Sequence, residues 1–192
     1  QNIGSLDMDW GRWDNADLKV EATRSGNSAD GITTNDVQWV VFKRANMAGL
    51  TGTYRYGNGS DVPISGIDST GGSLKGGTIE FDVNLAGGVD AISNGLLQVF
   101  DSSNTTWRVT FNGDISSGFA TMTDITGTYN STGSVTGAIG GAFVETIAGS
   151  STPDFISGFS LQSGGNFVQG MTLLNNETCF SCTINTILPL AE

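Results

Sequence analysis

Histidine is absent from the 192 residues, and after Arg108 the chain carries neither lysine nor arginine. The first absence removes Ser-His-Asp and Cys-His nucleophilic sites, and with them haem or iron capture through imidazole. The second belongs to a wider imbalance: eight basic residues stand against nineteen acids, for a net charge of -11. Only Lys43 and Arg44 are adjacent among the basic residues. A basic stripe with interleaved aromatics is missing, so the sequence does not read as a nucleic-acid binder, and no polybasic patch is available for an anionic membrane. Runs of roughly eighteen apolar residues are missing too, so no transmembrane helix is encoded.

Cysteine is scarce, with two residues, Cys179 and Cys182, in a Cys-Phe-Ser-Cys sequence. One such pair supplies half of a structural zinc site, and no histidine is present to complete it. A thioredoxin-like motif would open a helix in a βαβ setting, whereas this pair follows a polar stretch, Asn175-Asn176-Glu177-Thr178. The pair reads first as a local disulfide or two inert thiols, and only second as redox or metal chemistry.

Glycine is what the chain has in abundance, 28 residues against three prolines. Between the glycines lie short segments of alternating apolar and polar residues. The cleanest covers residues 78–85, with Ile79, Phe81, Val83 and Leu85 on one face and Glu80, Asp82 and Asn84 on the other. Further strands are expected at residues 9–13, 18–24, 37–43, 50–56, 96–100, 106–111, 122–129, 134–144, 155–161 and 167–174. A hairpin is expected at Gly57-Asn58-Gly59 and another between residues 96–100 and 106–111. Residues 25–36 and 60–77 read as polar connections. No window sustains helical apolar spacing, so little helix is expected. Regularly spaced strands with turn residues between them point to an all-β sandwich or barrel, and the length fits one domain. The expected division is residues 1–36 as N-terminal strands and a polar loop, 37–174 as the barrel, and 175–192 as a tail.

Three segments of the C-terminal half carry a resemblance. Gly133-Ser134-Val135-Thr136-Gly137-Ala138-Ile139-Gly140-Gly141-Ala142-Phe143-Val144, then Phe155-Ile156-Ser157-Gly158-Phe159-Ser160-Leu161, then Val168-Gln169-Gly170-Met171 resemble the closing strands of the transferrin-binding-protein-B-like β-barrel. Trp10-Gly11-Arg12-Trp13 is similar to an element preceding such barrels in some proteobacterial proteins with FecR domains. The resemblance implies an antiparallel up-and-down barrel of about eight strands, carried on exported or surface proteins that bind a partner. It brings no catalytic residues and no cofactor.

Candidate sites are few. Trp10 and Trp13 fall on opposite faces of a strand, so one is a candidate ligand or interface platform. Tyr54 and Tyr56 share a face beside Gly57 and are a second candidate platform, with core packing as the competing reading. Glu80 and Asp82, about 7 Å apart on one strand face, have a spacing compatible with a glycosidase pair, although alternating acids on a solvent face are the simpler reading. Asp7, Asp9, Asp14 and Asp17 could gather around calcium, but no calcium-loop motif accompanies them. The chain therefore reads as a mature or excised portion of an exported bacterial protein of the periplasm or cell surface. Its expected role is a non-enzymatic binding module for a protein or glycan. The alternatives are a structural or regulatory domain following a FecR-like segment, and a carbohydrate-binding or glycoside-cleaving barrel.

Overall fold

The computed structural model describes residues 8–14, 19–20, 23–24, 27–28, 32–33, 36–47, 49–57, 63–85, 91–145, 152–174 and 176–179, with side chains described from Val40 to Leu174 among them. Every regular element in those ranges is a β-strand. An N-terminal arm comprises β1 (Met8–Asp14), β2 (Lys19–Val20), β3 (Thr23–Arg24), β4 (Asn27–Ser28), β5 (Ile32–Thr33) and β6 (Asp36–Phe42). The main sheet follows with β7 (Thr53–Tyr56), β8 (Ser65–Asp68), β9 (Gly76–Asn84), β10 (Ala91–Phe100), β11 (Thr106–Ser116) and β12 (Phe119–Tyr129). It ends with β13 (Gly133–Ser134), β14 (Thr136–Val144), β15 (Asp154–Ser163), β16 (Asn166–Leu174) and β17 (Asn176–Cys179).

The main sheet has 11 strands, but three neighbouring pairs act as single interrupted strands, leaving eight. β7 and β8 face the successive strands β17 and β16: Tyr56 lies opposite Asn176, and Ser65 opposite Met171. β13 leads into β14 past Val135, whose N–H bonds to the Gly127 carbonyl oxygen at 3.2 Å. On its other side β7 pairs with β9, and the Ile67–Ser73 bridge joins β8 to the residues leading into β9. The antiparallel sheet thus curls round until its last strand meets its first, an up-and-down barrel.

Period-two patterning explains why these residues close in this way. Trp107, Val109 and Phe111 of β11 point inward while Arg108, Thr110 and Asn112 face solvent, and β9 repeats the pattern with Ile79, Phe81 and Val83. The barrel interior holds a ring cluster contributed by five strands: Tyr56 stacks on Phe81 at 5.4 Å, and Phe155 lies 5.0 Å from both Phe81 and Phe143. Phe111 adds a contact 6.1 Å from Phe81. Eight strands enclose a space that side chains can fill, and here they do. Room for the rings comes from glycine across the sheet. Gly95 pairs with Phe111 and Gly170 with Phe159, and a Cβ at either glycine would collide with the facing ring.

Four expectations about order along the chain differ from the structure. Residues 37–43, placed within the barrel by pattern, pair with β1 in a separate two-stranded sheet, and β2–β5 and β3–β4 continue that pairing. The hairpin expected around Gly57 does not form: β7 and β8 each pair with other strands. Gly57 instead has φ +67 and lies so close to β9 that a Cβ would strike the Ile79 carbonyl oxygen. The polar stretch 60–77 contains β8, and the tail at 175–192 contributes β17 to the barrel.

Candidate functional site

The interior contains both tyrosines singled out from the sequence. Tyr54 is 4% exposed and Tyr56 1%. The Tyr56 hydroxyl donates to the Pro153 carbonyl oxygen at 2.9 Å and that of Tyr54 to the Thr51 carbonyl oxygen at 3.1 Å. Burial pushes the Tyr54 phenol up. Their rings are core, and neither presents a face to solvent. β1 carries Trp10 and Trp13 opposite Val40 and Val37 of β6. Cys179 pairs in backbone register with Tyr54. Cys182, Asp7 and Asp17 lie outside the described residues.

Glu80 and Asp82 do share the outer face of β9, and a neighbour that the sequence did not reveal joins them. Arg55 of β7 lies opposite Asp82 in the ladder. Its Nη1 donates to Asp82 Oδ1 at 2.9 Å and its Nη2 to Glu80 Oε2 at 2.7 Å, while Asn94 Nδ2 donates to Asp82 Oδ2 at 2.8 Å. The Glu80 hydrogen bond is the main cause that raises the Arg55 pKa. Both carboxylates are thus committed to one guanidinium that ties β7 to β9, an arrangement that staples the barrel where its first strand is interrupted.

At one end of the barrel two turns are built on buried aspartates. Asp68 Oδ1 accepts from the Thr70 N–H and hydroxyl and from the Gly72 N–H, and its Oδ2 accepts from the Ser102 N–H of the neighbouring turn. Asp101 does the same for Ser103 and Thr105, and its Oδ2 accepts from the indole of Trp107 at 3.3 Å. Burial works against the charge on Asp68, but hydrogen bonds from Ser102 and Thr70 outweigh it and hold the carboxyl well below the usual carboxylate range. The sequence signal was present in Asp68-Ser69-Thr70-Gly71-Gly72 and Asp101-Ser102-Ser103-Asn104-Thr105, since aspartate readily bonds backbone two residues on.

The outer wall carries an open apolar feature among the described residues. Where the chain leaves the arm, the Ala45 N–H bonds to the Phe143 carbonyl oxygen and the Glu145 N–H to that of Lys43, which fastens the arm to the end of β14. Val40 and Phe42 then lie against Ala142, Val144 and Ile156 on the outside of the barrel. This second contact layer explains why Ala142, Phe143 and Val144 are buried in succession: the strand is covered on both faces, as in sheets packed on two sides.

Beside this contact the wall leaves a shallow groove of about 230 Å³. Its sides are Val40, Phe42, Phe119, Ala142, Ile156 and Met171, and its floor is Gly141, Ser157 and Gly158. Gly158 lies between Gly140 and Met171 in the ladders. A Cβ there would approach nothing closer than the Gly170 carbonyl oxygen at 3.9 Å, so the missing side chain opens the floor. Phe119 is 50% exposed and follows the tight turn at Ser117 and Gly118, both of positive φ. The Arg44 guanidinium lies 5.7 Å from the Phe119 ring centre, and its Nη1 donates to the Ser117 carbonyl oxygen at 3.0 Å. No protein-family model, no curated protein and no solved structure matches the chain.

Proposed function

We propose that this chain is a non-enzymatic binding module of the bacterial cell envelope, exported to the periplasm or surface, and that it recognises its partner on the outer wall of the barrel. The observation that carries this reading is the groove beside the arm, an apolar surface edged by a half-exposed phenylalanine on a barrel whose interior is filled. Apolar side chains around an open floor can be buried by a partner at the gain that removing apolar surface from water brings. The sequence resemblance to transferrin-binding-protein-B-like barrels is in keeping with the same reading, since it implies a barrel carried on exported or surface proteins that bind a partner. The engagement of Glu80 and Asp82 by Arg55 weighs against glycoside cleavage at that pair.

The test is a thermal-melt panel of the protein against oligosaccharides, host glycoproteins, calcium and haem, repeated with Phe119→Ser. A ligand at 100 times its dissociation constant adds about 2.7 kcal/mol. A shift with the native protein that disappears in the Phe119 variant is the expected result. A ligand that shifts both proteins equally would move recognition away from the groove. Antibody labelling of intact and lysed producing cells checks the location.

A further inference from the structure

We propose that the groove binds a single-chain amphiphile with an aliphatic tail and a carboxylate head, the tail lying over Gly158 between Phe119 and Met171 and the head on Arg44. This names the ligand class of the surface described above and rests on the reading of that surface as a binding site.

The tail follows from the groove's chemistry. Side chains at its sides are aliphatic or aromatic, and an apolar chain laid there removes apolar surface from water with no polar group of the wall left unpaired. The floor is open because of Gly158, a position on a strand rather than in a turn.

The head follows from charge. In a chain of net charge -11, Arg44 stands beside Phe119, one of the groove's side residues. Its neighbour Lys43 is engaged by Glu145 at 2.9 Å, whereas no carboxylate pairs with Arg44 among the described residues. Arg44 is exposed, and its Nη1 donates to the Ser117 carbonyl oxygen. An exposed guanidinium oriented by a hydrogen bond and an aromatic face suits a carboxylate. The long-range repulsion from the acidic surface is screened beyond about 8 Å at physiological salt, while the contact with Arg44 is not. A cationic head would lack a partner here, and a neutral head would forgo the charge-assisted bonds.

Isothermal titration of the 192-residue protein with decanoate, decanol and decyltrimethylammonium tests the assignment, all below their aggregation concentrations. Decanoate is expected to bind about tenfold more tightly than decanol, the amount that 1.4 kcal/mol of charge-assisted bonding confers, and the ammonium least. Gly158→Val fills the floor without backbone conflict and should abolish decanoate binding while leaving the melting temperature at or above the native value. Arg44→Ala should keep decanol binding and erase the preference for decanoate. Decanoate binding that is absent, that survives Gly158→Val unchanged, or that is no tighter than decanol overturns the proposal. If decanoate fails while a glycoprotein or oligosaccharide still gives a Phe119-dependent shift, the ligand class falls and the binding surface stands. If both fail, the surface falls with it.

Discussion

Asp68 is the residue whose chemistry bears most directly on stability. Its carboxylate is buried and ties two turns together, with four described donors on two oxygens. The folded pKa lies below the unfolded value of about 3.9, so the group binds a proton more readily in the unfolded chain. Its contribution is therefore fully present above pH of about 4 to 5 and is lost as the pH falls through the unfolded value toward the folded one. Asp68→Asn keeps the shape but replaces one acceptor oxygen with a donor. We expect it to cost about 1–3 kcal/mol at neutral pH, and we expect its urea midpoint to fall less steeply than that of the native protein between pH 5 and 2. Parallel acid slopes for the two proteins would remove Asp68 from the account.

At the scale of elements, the arm and the barrel are joined by a small contact. Phe42 and Val40 cover Ala142, Val144 and Ile156, and the backbone bonds at Ala45 and Glu145 follow directly after. The contact is peripheral to the barrel core, which is assembled from other residues. Phe42→Ala should therefore loosen the junction without unmaking the barrel. Amide exchange at Ala45 is expected to quicken by tenfold or more, with exchange in β9 and β11 unchanged. Equal acceleration in all three places would mean that the arm is an integral part of the folding unit.

For the whole molecule, closure makes each strand depend on both neighbours, and the aromatic cluster makes opposite walls depend on each other. Phe81 is fully buried and touches rings from β7, β11 and β15. Phe81→Ala is expected to cost about 3–5 kcal/mol through lost burial and the cavity left behind. The loss should appear as one earlier transition with an unchanged denaturant slope, because no strand can leave the ring alone. A second transition in the variant would show that the wall opens in parts.

Period-two alternation was enough by itself to determine the class of this protein and most of its strands. Residues 78–85 and 106–111 could bury one face only as half-exposed strands, and the hairpin between residues 96–100 and 106–111 formed around Asp101 as expected. Alternation describes one strand at a time and says nothing of its neighbours. For that reason residues 37–43 looked like barrel wall although Asp36–Phe42 pairs with β1, and Gly57 looked like a hairpin turn although β7 and β8 pair with other strands. The same limit applies to the sites. Tyr54 and Tyr56 were legible as a pair on one face, but only closure decided that the face is interior. Glu80 and Asp82 were legible as neighbours, but Arg55 reached them only through the pairing of β7 with β9. The groove was the least legible of all. Its sides come from β6, β12, β14, β15 and β16, and its shape depends on which residue lies across from Gly158. Such relations between distant parts of the chain exist only once the register is set and the sheet has closed.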